Sequence, residues 1–422
     1  MNSVIITIGD ELLIGQVINT NQAYIAHKFN EIGIFVKQMS TVGDIEKEIL
    51  SAFKFGWENF DFVCVTGGLG PTHDDITKKS ICKFFNKKLV ANKDALINIK
   101  SLLSLRNIPL SKLAIEQANI PSDFIPLKNK LGTAQGLFYQ TKIKNKFKYF
   151  LAMPGVPYEM KTIIEDSFIP TYKSKFNDEV ILHKTFKTTG ISEANLFEKV
   201  GDAKNILKGN PKSTLAYLPS PRGTKLRITI RSKNKNSANH KLKKIEEFIK
   251  SKASSFIYTE QNLELEFIIG KILKKKNLTL SIAESCTGGY ISNRVTNVAG
   301  SSNYFLQSFI TYSNESKIKM LGVLKNTLNK FGSVSKQVSE QMAVGALKNS
   351  KSNYAISITG IAGPTGGSIE KPIGSAWISI ADSNKVISKF YNFGNNRILF
   401  KERASQAALD LLRRVLLNLQ IF

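Results

Sequence analysis

Cysteine and histidine are scarce in this chain, and each scarcity closes off a class of chemistry. The three cysteines, Cys64, Cys82 and Cys286, form no close pair, which excludes a disulfide framework and a zinc knuckle. The four histidines, His27, His73, His183 and His240, are scattered, so no histidine-built metal cage is expected. No uninterrupted apolar run reaches the ~18–20 residues of a membrane span. The opening Met1-Asn2-Ser3-Val4 lacks the basic-then-apolar layout of a secretion signal. A cytoplasmic, soluble protein with no membrane partner is the expectation.

Negative charge is also short, with 33 Asp+Glu against 59 Lys+Arg and a formal net charge of +26. Such a balance suits a nucleic-acid binder, whose cations displace counterions from phosphates. The excess is spread, however: 39 basic against 24 acidic residues over 1–260, and 20 against 9 over 261–422. Lysines such as Lys271, Lys274, Lys275 and Lys276 read as a solvated helix face. Nucleic acid is therefore not the expected partner, and the charge serves instead to attract small anionic substrates. A DNA-associated role is kept as the alternative from another class.

What the chain does have is apolar material, 42% of its 422 residues, enough for two or three packed domains of ~100–200 residues. Residues 4–8, 34–39 and 62–66 read as strands, and residues 19–31 and 46–57 as helices between them. Strands apolar on both faces that alternate with helices make a parallel sheet covered on both sides. From about residue 182 the strands 183–188, 214–218 and 225–230 alternate as half-exposed ones do, with helices at 193–200 and 239–250. A second strand–helix alternation follows: helix 265–276, strands 278–283, 355–359 and 375–380, and a final helix over 396–417. The expected fold class is α/β, with two three-layer αβα domains of largely parallel sheets joined by a small α+β domain. Boundaries are expected at 1–172, 182–252 and 262–422.

Strand 62–65 runs into Thr66-Gly67-Gly68-Leu69-Gly70-Pro71-Thr72-His73-Asp74-Asp75. Three glycines there let backbone N–H groups approach a phosphate, and a helix start adds its positive end. Asp74 and Asp75 offer oxygen ligands to a divalent cation; the plainer reading has them capping the helix. Gly9-Asp10-Glu11-Leu12-Leu13 and Leu131-Gly132-Thr133-Ala134-Gln135-Gly136 also fall beside strands. Together with Asn19-Thr20-Asn21 and Pro154-Gly155-Val156-Pro157-Tyr158-Glu159-Met160, these loops resemble the CinA family, whose first domain is similar to the molybdopterin-binding MoaB/MogA-like fold. The resemblance implies a metal-dependent pyrophosphatase acting on ADP-ribose, with Asp74 and Asp75 as metal ligands and Asp10 and Glu11 assisting. A catalytically silent pterin- or nucleotide-binding domain remains the alternative. Gly67, Gly68 and Gly70 would bind substrate.

The middle segment resembles a small KH-type module but has no Gly-x-x-Gly loop; Gly209-Asn210-Pro211 and Pro221-Arg222-Gly223 come nearest. Lys225, Arg227 and Arg231 would share one strand face with Arg222 close by, and a solvated face is the expected reading.

In the third region, strand 278–283 meets Glu284-Ser285-Cys286-Thr287-Gly288-Gly289. A serine at a strand end needs a base, and residues 261–422 contain no histidine. Lys317, in the first turns of a helix capped by Ser313, is the remaining activator. Burial, nearby arginines and the helix's positive end would all lower its pKa. Tyr312 is placed to donate or relay a proton. Cys286 is the rival nucleophile, although its side chain should point elsewhere. These motifs, with Ala299-Gly300-Ser301-Ser302, Gly332-Ser333-Val334-Ser335, Thr359-Gly360-Ile361-Ala362-Gly363-Pro364 and Glu370-Lys371-Pro372-Ile373-Gly374, resemble the C-terminal CinA domain, the nicotinamide mononucleotide amidohydrolase (PncC) family. The resemblance implies Ser285 as nucleophile, Lys317 as its base and Tyr312 as proton-transfer partner. Thr359 and Arg397 would hold substrate, helped by Gly360 and Gly363 of the phosphate loop, with no cofactor in this domain. The family's Gly-Asp-Arg appears here as Gly394-Asn395-Asn396-Arg397, so Arg403 is a second candidate. A homodimer is also implied.

Overall fold

The computed structural model describes residues 1–72, 75–176, 180–202, 207 and 213–421. The chain divides into two compact units, residues 1–181 with 232–235, and residues 182–231 with 236–422. The first contains β1 (Asn2–Ile8), β2 (Phe35–Val42), β3 (Phe62–Thr66), β4 (Leu89–Ala91), β5 (Asn119–Pro121), β6 (Ile125–Leu127), β7 (Gly136–Ile143) and β8 (Lys146–Met153). Its main sheet runs β2-β1-β3-β8-β7-β6. The pairs from β2 to β8 are parallel, and β7 and β6 add an antiparallel edge.

Side-chain alternation sends each strand's apolar residues to both faces. Ile5, Cys64 and Leu151 pack with Phe29, Met160 and Phe168 on one side. Val4, Ile6, Val63 and Val65 pack with Ile49, Phe53 and Ile81 on the other. The expected three layers follow from that division. The strand ends on one edge are drawn together by buried amides and hydroxyls. Asn21 Nδ2 donates to Gly155 O at 2.7 Å, and Thr66 Oγ1 donates to Pro154 O at 3.0 Å.

The second unit begins with β9 (Val180–Thr188), β10 (Thr214–Ser220), β11 (Gly223–Ser232) and β12 (Ile257–Thr259), ordered β10-β11-β9-β12. On β11 the even positions Leu226, Ile228 and Ile230 are buried, while Arg227 is exposed. The remainder carries β13 (Leu280–Glu284), β14 (Phe305–Ile310), β15 (Tyr354–Gly360), β16 (Ser375–Ala381) and β17 (Val386–Asn392), ordered β14-β13-β15-β16-β17. Strands β14, β13 and β15 are parallel, and β16 and β17 return antiparallel. One face packs Ile282, Ile356 and Ile378 against helices Leu265–Lys276 and Arg397–Leu416. The other presents small residues, Ala283, Ala355 and Ala381, to helix Lys336–Ser350. Small side chains there let that helix lie close over the strand that carries Ser285. Among the described residues no helix is long and apolar enough to cross a membrane.

Gly67 shows how tightly the first unit's strand ends are drawn together. Its φ is +115°, and a Cβ there would stand 2.1 Å from Ile8 O. Gly67→Ala should cost about 1–3 kcal/mol in backbone strain. The expected result is a lower thermal midpoint with faster hydrogen exchange at β1 and β3, and an unchanged midpoint would contradict this packing.

Candidate active site

In the second unit Ser285 follows β13 directly, and Lys317 lies on helix Asn314–Leu321, whose N-cap Ser313 accepts from Ser316 N. The two side chains converge: Lys317 Nζ is 3.0 Å from Ser285 Oγ. The ammonium end also reaches Thr311 O at 2.8 Å and Tyr312 O at 3.1 Å. Lys317 is 1% exposed and Ser285 8% exposed. Among the described residues no carboxylate pairs with Lys317. Burial without a counter-ion lowers its pKa below the lysine value of 10.5. Three polar neighbours match a neutral amine, whose two hydrogens satisfy the carbonyls while its lone pair faces the hydroxyl.

A cavity of about 150 Å³ opens over this pair, lined also by Tyr312, Ser333, Thr359 and Arg397. Thr359 Oγ1 donates to Ser333 O at 2.8 Å, which leaves its lone pairs for a ligand N–H. Gly360 lines the cavity, and Gly363 O accepts from Arg397 Nη1 at 3.0 Å. Arg397 Nη2 donates to Tyr312 Oη at 3.1 Å. The arginine opens its helix behind Asn396, whose side chain accepts from Ile398 N and Leu399 N. Asparagine thus serves as the N-cap, as aspartate would. Tyr312 joins the site differently from expectation. Its phenol is 62% exposed and bonded to Arg397, with no hydrogen bond to Ser285 or Lys317. Arg403 does not reach this cavity; it donates to Phe393 O and lines another. Cys286 lines the cavity, but burial pushes its thiol up to about 12, leaving little thiolate at neutral pH.

Glu284 is a residue that sequence reasoning quoted without assigning a role. Its fully buried carboxylate accepts from Gly289 N, Ile291 N, Ser292 N and Ser292 Oγ at 2.6–3.1 Å. Four bonds of this kind clamp the turn 285–289. Ser285 N is already spent on Ile358 O, so it is not an oxyanion donor. The amide of Thr287 has no acceptor among the described residues, and that of Cys286 meets only its own thiol. An acid at a strand end just before a glycine turn was the available signal.

In the first unit, a cavity of about 520 Å³ gathers the glycine-bearing loops, with Gly9, Gly67, Gly68, Gly70, Thr133 and Gly155 on its walls. Glu11, Asp44, Asp75 and Glu159 bring carboxylates to it. Asp75 Oδ2 accepts from Thr72 N and Thr72 Oγ1. It does not cap the helix Thr77–Phe85, which has no side-chain cap. Asp10 and Asp44 exchange bonds, each carboxylate accepting the other's backbone N–H. Burial raises the pKa of Glu159, opposed by the amide of Asn129, which donates to it at 2.7 Å. Asp74 lies outside the described residues. Among the described residues no three His, Cys, Asp or Glu side chains form a metal-holding group. Asp75 Oδ1 accepts no hydrogen bond there.

Family models match the chain in three consecutive segments. They are "Probable molybdopterin binding domain" over residues 4–174, "Damage-inducible protein CinA KH domain" over 183–259, and "CinA C-terminal domain" over 262–416. A CinA-like protein of Chloroherpeton thalassium is 40% identical over 420 residues, 98% of each chain. Another, from Flavobacterium psychrophilum, is 39% identical over 423 residues, 99% of each. Among solved structures, the competence/damage inducible protein CihA from Agrobacterium tumefaciens is 37% identical. It covers 37% of this chain and 99% of its own, with a TM-score of 0.35.

The state of Lys317 has a thermodynamic signature. Its pKa is lowered in the folded chain, so the unfolded chain binds more protons between that value and 10.5, and stability rises with pH across the interval. Lys317→Met lacks this contribution. Wild type should therefore gain on the variant as pH rises from 7 towards 10, by up to about 1.4 kcal/mol per pH unit. Urea midpoints measured in parallel check this, and a pH-independent difference would contradict it.

Proposed function

The chain belongs to the CinA family, and on that premise we propose that its C-terminal domain hydrolyses the carboxamide of nicotinamide mononucleotide to nicotinate mononucleotide and ammonia. The observation that carries this reading is the 3.0 Å contact between Ser285 Oγ and a buried Lys317 amine that meets no carboxylate among the described residues, beneath a cavity edged by Arg397.

The neutral amine accepts the Ser285 proton as Oγ attacks the amide carbon. The amides of Cys286 and Thr287 hold the developing oxyanion. Lys317, now charged, passes its proton to the departing nitrogen, and ammonia leaves with a seryl ester behind. The same amine then removes a proton from water, hydroxide attacks the ester, and Ser285 recovers its hydrogen as nicotinate mononucleotide departs. Arg397 and the Gly360–Gly363 turn offer donors to the substrate's phosphate, and Thr359 takes the carboxamide N–H. Tyr312 positions Arg397 through its phenol and Lys317 through its carbonyl.

For the N-terminal domain we propose hydrolysis of the pyrophosphate of ADP-ribose. Its support is the cavity in which the glycine-bearing loops meet four carboxylates. A divalent cation held by Asp74 and Asp75 would neutralise the pyrophosphate charge. The amides of Gly68, Leu69 and Gly70 have no backbone acceptor among the described residues and are available to phosphate oxygens. Both substrates are pieces of NAD, which gives one chain a single metabolic theme.

Ser285→Ala and Lys317→Ala should each cut ammonia release from nicotinamide mononucleotide by about 10²–10⁴-fold or more, whereas Cys286→Ala should retain it. The wild-type rate should rise with pH through the lowered Lys317 pKa. Retained turnover in Lys317→Ala would refute the assignment. Replacing Asp74 and Asp75 together with Asn should abolish ADP-ribose cleavage while sparing ammonia release; unchanged cleavage would contradict the proposed site.

A further inference from the structure

A second, larger cavity of about 560 Å³ lies in the same unit as Ser285, between the KH-like segment and the C-terminal domain. It shares no lining residue with the Ser285 cavity. One wall is the loop after β9, around Gly190, together with the β10–β11 hairpin turn; the other is β17 and the outer turns of helix Arg397–Leu416. The walls are fastened by polar contacts. Arg222 Nε donates to Glu402 Oε1 at 3.0 Å, Gln406 Nε2 to Thr189 Oγ1 at 3.2 Å, and Lys187 Nζ to Glu264 Oε1 at 2.8 Å. The arginine of Pro221-Arg222-Gly223 is thus engaged with the C-terminal domain, not held on a solvated face.

The charges around this cavity do not balance. Arg222 is answered by Glu402 and Glu264. Asp410 is shared between Arg413 and Arg414, whose Nε atoms both stand 2.8 Å from it. The backbone of Gly190 is pressed on that pair: a Cβ there would lie 2.6 Å from Asp410 Oδ2. Lys389 and Arg403 also line the cavity, and among the described residues neither forms an ion pair. Among the described residues Arg403 donates to Phe393 O alone, and Lys389 lies over the Tyr391 ring. Glu193, exposed at the rim, is the one further carboxylate on the wall. Burial and the neighbouring Arg414 lower the Lys389 pKa, and Asp410 opposes them in part. Beside these two cations, Tyr391 and Phe393 stack 5.3 Å apart.

We propose that this cavity binds a small organic phosphate, its phosphate between Lys389 and Arg403 and its body against Tyr391 and Phe393. A guanidinium with an ammonium is the donor set that phosphate takes. The site reaches the Ser285 centre along one element. Helix Arg397–Leu416 begins with the arginine that edges the Ser285 cavity and continues through Arg403, Gln406 and Arg414 on this wall.

Titration calorimetry of the full chain with AMP and, separately, with inorganic phosphate tests the site. Lys389→Ala and Arg403→Ala should each weaken AMP binding about tenfold, Arg403→Lys should recover part of the loss, and Arg397→Ala should leave it intact. Unchanged melting midpoints would show that the variants remain folded. Tighter binding of AMP than of phosphate assigns the occupant as an organic phosphate, whereas equal affinity reduces it to the free ion and overturns the role of the aromatic pair. AMP binding that is absent at millimolar concentration, or indifferent to both alanine variants, overturns the site.

Discussion

The chemistry proposed for the C-terminal domain depends on one amine being kept out of water with no carboxylate beside it among the described residues. A lysine in solution is a cation and cannot take a proton. Here the helix Asn314–Leu321 carries Lys317 into the protein, where two main-chain carbonyls and a serine hydroxyl are its polar company. A carboxylate beside it would fix the positive charge and end its use as a base. The fold supplies dipoles in that position instead.

That placement has a cost, met by rigidity on the opposite side. Ser285 sits on a turn that is held by the buried carboxylate of Glu284 through four hydrogen bonds. The turn in turn is anchored by β13, a central strand flanked by β14 and β15. Ser285, the proposed nucleophile, is therefore set by strand and turn, Lys317, the proposed base, by a separate helix, and Arg397 by a third element whose cap is Asn396. Convergence of three independent elements is what distinguishes this arrangement from a serine in an ordinary turn. In the N-terminal domain, too, loops meet around a cavity where parallel strands end.

Much of this was legible in the sequence because the informative residues are local. Apolar strands ending in glycine turns announced the parallel cores of both αβα layers, and the absence of histidine after residue 261 directed attention to Lys317. Less legible were the sheet edges. Strand β17 contains Lys389 among its apolar residues and is only partly buried, so it carries no clean alternation. The β7–β8 hairpin turns at Lys144 and Asn145, both at positive φ, within a lysine-rich stretch that hides the signal. Long-range geometry was least legible. Spacing could not say that Tyr312 turns its phenol to Arg397, that Arg403 faces a different cavity, or that Arg222 finds Glu402 180 residues away.

The protonation state of that amine can be observed directly by following the ¹³Cε resonance of Lys317 in a lysine-labelled chain across a pH titration, assigned by its loss in Lys317→Arg. The account predicts that this resonance titrates below the ordinary lysine value of 10.5, which makes the neutral form available to Ser285. A Lys317 signal that titrates together with the surface lysines would contradict it.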